Sequence, residues 1–463
     1  PEDAMDVLCE SPAAYGKVNV FYLQPHCRWS YIVDKAGETD IANKLDVAMA
    51  DIEAQNPTLT GALPQKFFTS LRTDSKTIKS LIDEINKISS ERFHEKDLIG
   101  RVYEYFLQEF SIDERKDKGE FYTPKCIVDL IAELIEPYQG KIYDPCCGSG
   151  GMFVQSVKFI EAHGGNTTNI SVYGQESTPS TYRLAKMNLA IRGISHNLGK
   201  EAVSTFTNDQ HKDLKVDFIM ANPPFNLKKW READELTSDP RWSGNATPPE
   251  SNANYAWILH MLSKLNTTDG IAGFLLANGA LGADAEEIKI RKQLILNDKV
   301  EAIIVLPREM FYSTDISVTL WILNNNKKAC TRNGRQLRDR QNEVLFVDLR
   351  TWDQNVYEKS FVLFSPEQIA DIKRIYNGFQ AIDRTEKYEK PELYRAVKLA
   401  EIEKNNYSLV PSQYIEFIDH DLEIDHEAEM ARIQGDLKEL IKREKLSQNQ
   451  LANAFKNLGY AID

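Results

Sequence analysis

Residues 141–151 read KIYDPCCGSGG, and this stretch decides the fold. The apolar run 141–143 is followed by Asp144 and a glycine-rich turn, and the helical pattern 152–162 comes directly after it. A strand, a glycine turn and a helix in this order bring main-chain N–H groups and a helix N-terminus against the polar end of a ligand. The stretch therefore predicts an α/β site for a nucleotide-like cofactor, although a simple tight turn would also use these glycines.

Further short apolar runs alternate with amphipathic stretches as far as Leu349, which predicts a doubly wound α/β sheet. After Ile304 the runs lie too close together for a crossover helix, so we expect an antiparallel addition at one edge of a mixed sheet. The predicted strands are 141–143, 171–174, 216–221, 271–276, 300–306, 318–323 and 344–347.

Helical patterns flank this region on both sides. Apolar residues recur at three and four spacing in 41–54 and 77–88, and helices return from about Pro366. Near the end, residues 430–441 carry an apolar stripe on a charged segment, and Ser447 is placed to cap a final helix. This tail packs on its own domain or meets a partner helix, and the pattern leaves both open. The predicted domains are a helical N-terminal domain 1–99, a catalytic domain 100–365 and a C-terminal helical region 366–463.

Composition restricts the class of protein. Aliphatic and aromatic residues make up 42% of the 463 residues and charged residues 27%, which is typical of a folded globular chain. No run approaches the roughly 20 apolar residues that span a bilayer, and no secretory signal is evident, so we expect a cytoplasmic protein without membrane contact. Six cysteines are spaced as neither a zinc site nor a disulfide framework, so no metal site is predicted. Because the chain begins at Pro1, we expect further residues to precede it in the natural protein.

Two acidic residues follow predicted strands and are candidate cofactor ligands. Asp144 is placed to accept hydrogen bonds from an ammonium group or to orient the glycine loop. Glu176, at the tip of the next strand, is predicted to accept both hydroxyls of a ribose, as the acidic residue of dinucleotide folds does. A solvated loop glutamate is the alternative. The small residues that would let a cofactor approach the main chain are Gly148, Ser149, Gly150 and Gly151.

Asn222-Pro223-Pro224-Phe225, directly after the apolar run 218–221, is the most informative motif. Two prolines fix φ and remove donors, so the chain leaves the sheet along a rigid path with exposed carbonyl groups. The Asn222 side-chain carbonyl and the Pro223 main-chain carbonyl can accept both protons of an exocyclic amine and turn its lone pair towards an electrophilic methyl. Phe225 would stack on a base flipped out of its duplex. These four residues are the predicted catalytic residues.

On these residues the sequence resembles the modification (M) subunits of type I restriction-modification systems, a family of adenine-N6 DNA methyltransferases. The motifs occur in the family's order, and the similarity runs from about Phe21 to Ile415. The matching stretches are 119–124 (GEFYTP), 144–151, 173–176 (YGQE), 221–225 (ANPPF), 254–257 (NYAW), 306–307 with 310–312, and 406–409 (NYSL).

The resemblance implies a Rossmann-like methyltransferase fold, with S-adenosylmethionine as cofactor and direct transfer of its methyl group to adenine N6. It also implies that Asp209 lies near the cofactor adenine, although Asn208-Asp209-Gln210 departs from the family's usual Gly-Asp pair. The implied partners are double-stranded DNA, a specificity subunit, a motor subunit and a second M subunit. The segment implied to close over the methionine part of the cofactor is Gly119, Glu120, Phe121, Tyr122, Thr123 and Pro124.

Other interpretations remain open at this point. The Asn-Pro-Pro motif suits any planar amine, so cytosine N4 or a protein glutamine is an alternative acceptor, and an inactive scaffold for a specificity subunit is a third hypothesis. The net charge of −13 implies weak DNA binding by this chain alone, or simply generic solubility. Residues 228–231, with Arg241 and Trp242, form either a phosphate-contacting flap or a loop that buries its tryptophans.

Overall fold

The computed structural model describes Tyr15 and residues 20–87, 123–283, 285–311, 317–350, 352, 356–358, 361–418 and 426–457. The chain divides into two compact units, Pro1–Ile415 and Glu416–Asp463. The first unit contains the predicted sheet and the predicted site, and each unit is described by itself below.

The first unit begins with short helices: α1 (Trp29–Lys35), α2 (Ile41–Gln55), α3 (Phe67–Ser70) and α4 (Ser75–Asn86). The helices predicted over 41–54 and 77–88 are confirmed as α2 and α4. Asp74 caps α4, since its Oδ1 accepts the Thr77 N–H at 2.9 Å. A small core of its own, built from Cys27, Ile32, Ile41, Ala48, Ile78 and Ile82, holds α1, α2 and α4 together.

Ten strands among the described residues form one mixed sheet in the order β13-β14-β10-β6-β7-β5-β4-β1-β2-β3. All seven predicted runs are strands. The members of the sheet are β1 (Gly140–Asp144), β2 (Ile170–Gly174), β3 (His196–Asn197), β4 (Phe218–Ala221), β5 (Ile271–Ala277), β6 (Val300–Val305), β7 (Val318–Asn324), β10 (Glu343–Asp348), β13 (Glu389–Lys390) and β14 (Tyr394–Lys398). Two hairpins stand apart, β8 (Cys330–Arg332) with β9 (Arg335–Leu337) and β11 (Val356–Glu358) with β12 (Phe361–Leu363).

The predicted position of the antiparallel addition is only partly right. β14 and β13 do run antiparallel at one edge, next to β10. However, β7 lies inside the sheet, antiparallel to both β5 and β6. A strand that enters between two parallel neighbours needs only short connections, which explains why the runs after Ile304 leave no room for a crossover helix. Residues 366–415, predicted as helical, also contribute the two edge strands.

Helices cover both faces of the sheet, because neighbouring side chains on a strand point to opposite sides. On β1, Ile142 packs into one core and Tyr143 into the other. The first core includes residues of α5 (Lys125–Ile135), α6 (Gly151–Ala162), α7 (Pro179–Ile191) and α10 (Pro366–Gln380). The second includes residues of α8 (Asn254–Lys264), α9 (Glu286–Leu296) and α11 (Leu399–Lys404).

The described residues of the second unit contain one long helix, α12 (His426–Asn457). The prediction that Ser447 caps a separate final helix is wrong, since the helix runs through this position without a break. Charged residues before Ser447 and glutamine, leucine and alanine residues after it favour helix propagation. None of the helices that the structure describes is long and apolar enough to cross a membrane. Large apolar side chains on α12 are exposed within the described part of the helix: Met430, Ile433, Leu437, Leu440, Ile441, Leu446 and Leu451.

Candidate active site

The ends of β1 and β2 interlock and shape the glycine loop. The Gln175 N–H donates to the Asp144 carbonyl (3.1 Å), and the Cys147 N–H donates back to the Gln175 carbonyl (3.0 Å). Gly148 (φ 53°) and Gly150 (φ 81°) then turn the chain through the left-handed region, which suits glycine. A Cβ added at Gly148 would meet no atom within 4 Å. The main chain of the loop therefore faces open space that a ligand can fill.

The loop is held in place from α7 as well. The Asn188 side chain is buried, and its Nδ2 donates to the Ser149 carbonyl at 2.7 Å. Sequence reasoning missed Asn188, because one asparagine in the middle of an amphipathic helix carries no signal of its own. This bond fixes the turn that leads into the N-terminus of α6.

Asp144 sits at the end of β1 with only 2% of its surface exposed. Its Oδ1 accepts the Cys146 N–H at 2.9 Å. Burial, with a further contribution from the nearby Glu176 carboxylate, raises the pKa of Asp144 to about 7. A cationic group at this point would relieve both effects, so the position suits an ammonium ligand.

Glu176 lies at the tip of β2, as predicted, but both of its oxygens already bind main-chain groups. Oε2 accepts the Gly148 N–H at 3.0 Å, and Oε1 accepts the Thr178 N–H at 2.8 Å. Oε1 also accepts the Ser177 hydroxyl at 3.4 Å, so the carboxylate is held by the protein on both oxygens. Its contact with Gly148 ties the glycine loop to β2.

Asp209 is committed to an internal ion pair. Its carboxylate contacts the Lys264 ammonium, which is 2% exposed, and also accepts the His211 N–H at 2.9 Å. Burial alone would raise the pKa of Asp209, but Lys264 holds that pKa below its usual value. Asp209 is not among the residues that line the pocket described below.

Asn222 follows β4 and presents its amide beside the glycine loop. Nδ2 donates to the Thr123 hydroxyl oxygen at 2.8 Å. Oδ1 is buried and has no hydrogen-bond partner among the residues that the structure describes. Most buried polar atoms are satisfied in native proteins, so this oxygen is available to a donor from outside the chain.

Phe225 is half-buried, and its ring meets Phe311 edge-on, with ring centres 6.0 Å apart. The next residue, Asn226, has a left-handed backbone (φ 54°). Its N–H donates to Asn254 Oδ1 (3.0 Å), and Asn254 Nδ2 donates back to Asn226 Oδ1 (2.9 Å). Asn254, at the start of α8, thus fixes the exit from the predicted catalytic loop, a role that the sequence did not reveal.

One pocket brings several of the predicted residues together at the carboxyl ends of β1 and β4. Among the predicted site residues, the lining includes members of the glycine loop, Asp144, Asn222 and Thr123. The predicted residues Gly119, Glu120, Phe121 and Tyr122 lie outside the described residues. The other predicted residues that the structure describes are not in the lining: Pro124, Gly150, Glu176, Asp209, Pro223, Pro224 and Phe225. Residues that carried no prediction complete the wall: Lys125, Val128, Cys146, Cys147, Met152, Gln155 and Asn188.

The environment of the two pocket cysteines disfavours their thiolate forms. Burial raises the pKa of Cys146 and of Cys147 well above the usual thiol value, and the charge of Asp144 adds to both shifts. A thiol is a far weaker nucleophile than a thiolate. The pocket therefore fits direct transfer between two bound molecules rather than a covalent cysteine intermediate.

Of the two interpretations of residues 228–242, the structure favours the loop that buries its tryptophans. Trp230 and Trp242 are buried. The Arg241 guanidinium binds Asp239 and the carbonyls of Thr205 and Phe206. It is therefore used inside the protein. Lys228 and Lys229 remain exposed at the surface.

Comparison with known proteins identifies relatives along the whole of this architecture. Residues 94–422 match the family model described as N-6 DNA methylase, and residues 10–87 match the HsdM N-terminal domain. The chain is 39% identical over 432 residues to the HindI type I restriction enzyme methylase subunit of Haemophilus influenzae, covering 90% of this chain and 92% of that protein. It is 32% identical over 459 residues to the MjaIX methylase subunit of Methanocaldococcus jannaschii, covering 98% and 80%.

Solved structures share the fold at lower identity. The type I restriction-modification methyltransferase subunit from Streptococcus thermophilus superposes with a TM-score of 0.71 at 22% identity, covering 87% of this chain and 83% of that one. A modification subunit of a putative type I restriction enzyme from Vibrio vulnificus gives a TM-score of 0.55 at 19% identity, covering 78% and 69%. The predicted Rossmann-like methyltransferase fold is confirmed.

The buried carboxyl group of Asp144 yields a pH-dependent prediction. The pKa of Asp144 in the folded protein (about 7) lies above the ordinary 3.8. Ionisation of this carboxyl group therefore lowers the free energy of unfolding, and the loss reaches its full size above pH 7. The Asp144→Asn variant should therefore be more stable than wild type at pH 8, by up to roughly 4 kcal/mol. The gain should shrink to less than half at pH 5, where the folded protein keeps Asp144 protonated. Urea unfolding at the two pH values measures this difference, and an equal gain at both would contradict the assignment.

Proposed function

The chain belongs to the N-6 DNA methylases and, within them, to the methylase subunits of type I restriction enzymes, and from this premise we propose how its residues carry the reaction. The enzyme transfers a methyl group from S-adenosylmethionine to adenine N6. We assign this chemistry to the predicted domain 100–365, with 1–99 and 366–463 as flanking regions. Adenine, rather than cytosine N4 or a protein glutamine, is the acceptor that the family uses.

The pocket residues fit the cofactor. When bound, S-adenosylmethionine supplies an electrophilic methyl group on a sulfonium centre. In our proposal Asp144 would bind its amino group and Glu176 would bind its ribose. The protein main chain of Gly148–Gly151 would lie against the cofactor. The open space above Gly148 and the raised pKa of Asp144 support this arrangement. Gly119–Pro124 and Asp209 stay proposed cofactor residues by resemblance, and the Lys264 ion pair makes Asp209 the weaker of the two.

The observation that carries the proposal is the unsatisfied Oδ1 of Asn222. Thr123 accepts from Nδ2 and so holds the amide with its carbonyl oxygen free. We propose that Oδ1 and the Pro223 carbonyl accept the two N–H groups of adenine N6. These acceptors favour a pyramidal nitrogen and stabilise the positive charge that develops on it during transfer. Asn222 thus both orients the amine and stabilises the transition state.

Phe225 is proposed to stack on the flipped adenine. Its ring is braced edge-on by Phe311, and the main chain after it is fixed by Asn254. Such preorganisation lowers the ordering entropy that a base would otherwise have to overcome on entering the site. Pro223 and Pro224 keep the loop extended between the two functional side chains.

We also propose the partners of this chain. Both curated relatives bear the name of a subunit of a type I restriction enzyme, so DNA and further subunits belong to the proposal. A net charge of −13 disfavours DNA binding by one acidic chain. A specificity subunit that reads the duplex would supply this affinity, with a motor subunit and a second methylase subunit completing the assembly. Because the substrate is cellular DNA, we place the enzyme in the cytoplasm.

The apolar stripe of α12 is the proposed contact with the specificity subunit. Leu437 and Leu440 are 55% and 61% exposed, and three other stripe residues lie at three and four spacing around them. An amphipathic helix of this kind is suited to pairing with helices of another chain.

Changing the Asn222 acceptor should abolish turnover without removing the cofactor. We expect Asn222→Ala to lower the methylation rate by roughly 100-fold to 1000-fold, as loss of a charge-stabilising group does. Phe225→Ala should lower the methylation rate by about tenfold or more, while Phe225→Tyr keeps the stacking face and most of the rate.

Calorimetry should give a wild-type Kd for S-adenosylhomocysteine in all three variants. Tritium transfer to unmodified DNA measures the rates.

Asn266→Ala is the matched control, since Asn266 lies before the amino end of β5, whereas Asn222 follows the carboxyl end of the neighbouring parallel strand β4. It should methylate as wild type does. Undiminished transfer by Asn222→Ala would overturn the proposed mechanism, and label recovered as N4-methylcytosine would overturn the proposed substrate pose.

Removing α12 should separate catalysis from assembly. A chain ending at Ile415 should bind S-adenosylhomocysteine normally but fail to copurify with its specificity subunit and fail to produce N6-methyladenine in the mixture. The double variant Leu437→Lys, Leu440→Lys should behave in the same way, because charges on the stripe cannot be buried in a helical interface. Lys438→Ala with Lys442→Ala, on the same helix, should assemble normally. Full assembly by the truncated chain would contradict the proposed contact.

A further inference from the structure

Gln155 is a buried polar residue of the pocket wall that takes no part in the methyl transfer proposed above. It lies on α6, one helical turn beyond Gly151, and only 7% of its surface is exposed. It lines the same pocket as Asp144, Gly148 and Asn222. Gln155 therefore faces the place where the cofactor is proposed to bind.

The side-chain amide of Gln155 makes no hydrogen bond within the part of the chain that the structure describes. Its neighbour Ser156 is satisfied, because its hydroxyl donates to the Met152 carbonyl at 2.8 Å. The polar atoms of Gln155 are not among the fully enclosed atoms that lack a partner, so the amide opens onto the pocket, where a ligand can reach it. The amide of Gln155 is thus prepared for a polar group that enters the pocket.

The charges around the pocket indicate which polar group this is. Asp144 lines the pocket and Glu176 binds the Gly148 N–H outside the lining, so the loop side is acidic and suits the ammonium of an amino acid. An amino acid also carries a carboxylate, which needs donors and gains from a helix N-terminus. The first N–H groups of α6 have no carbonyl one turn earlier in their helix to bind. Gln155 Nε2 lies on the next turn of that helix and adds a side-chain donor to them.

We propose that Gln155 is a cofactor-binding residue whose Nε2 donates to the α-carboxylate in the methionine part of S-adenosylmethionine. The inference rests on the proposed function, because it places the cofactor in this pocket. It adds a ligand that neither the glycine loop nor the Asn-Pro-Pro-Phe motif contains. It also gives α6 two roles, with its N-terminus and its second turn contacting the same end of the ligand.

A ligand pair tests this assignment without any catalytic readout. S-adenosylhomocysteine carries the amino-acid end, whereas 5′-methylthioadenosine keeps the nucleoside and thioether but lacks it. Methionine is similar in volume to glutamine but has no amide to donate a hydrogen bond. We therefore expect Gln155→Met to raise the Kd for S-adenosylhomocysteine by roughly 10-fold to 100-fold, as loss of a hydrogen bond to a charged group does. Its Kd for 5′-methylthioadenosine should stay within about twofold of wild type. Calorimetry on the full chain measures both constants.

Two further variants keep the test decisive. Gln155→Glu places a negative charge beside the carboxylate of the ligand. It should therefore raise the Kd for S-adenosylhomocysteine more than Gln155→Met does. Ser156→Ala alters the same turn of α6 without reaching the pocket and should leave both Kd values unchanged. Equal losses for the two ligands, or no loss in Gln155→Met, would overturn the role of Gln155 while leaving the cofactor site intact. If wild type binds neither ligand, the proposed cofactor site itself is wrong.

Discussion

The parallel pairing of β1 with β2 and β4 is the constraint on which the site depends. Parallel strands end at the same edge of a sheet, so residues far apart in the chain meet there. The pairing aligns Asp144 with Gly174 and places Ile219, two residues before Ala221, beside Tyr143. The hydrogen bonds between Asp144, Gln175 and Cys147 then shape the glycine loop. Without this register, the glycine loop and the Asn222 loop would not face one pocket.

The pocket is defined by buried polar groups that the protein leaves incompletely satisfied. Asp144 is a carboxyl group with a raised pKa, and Asn222 keeps a free carbonyl oxygen. Each would destabilise an ordinary core, because desolvated polar groups cost free energy without partners. A ligand that binds between them and donates hydrogen bonds to both acceptors would offset this free-energy cost. Stability and function therefore oppose each other at this edge of the sheet.

The sequence predicted the strands and the loops of the site because both depend on local rules. Apolar runs, the glycine turn after β1 and the rigid Asn-Pro-Pro-Phe exit after β4 each follow from the residues themselves. Tertiary choices escaped prediction. β7 enters the sheet interior because strand order is not encoded in the run of residues 318–324. Asn188 and Asn254 act through distant main-chain and side-chain partners, and Asp209 is paired with Lys264, 55 positions away in the sequence.

The structure of this chain bound to S-adenosylhomocysteine tests the central claim most directly, namely that the ends of β1, β2 and β4 form one site for methyl transfer. We expect the amino-acid end of the ligand to lie beside Asp144, the ribose at Glu176 and the sulfur facing Asn222, whose Oδ1 stays unpaired while Nδ2 remains on Thr123. A ligand bound elsewhere would contradict it. So would a complex in which Asn222 Oδ1 is occupied by the protein and unable to receive an adenine amine.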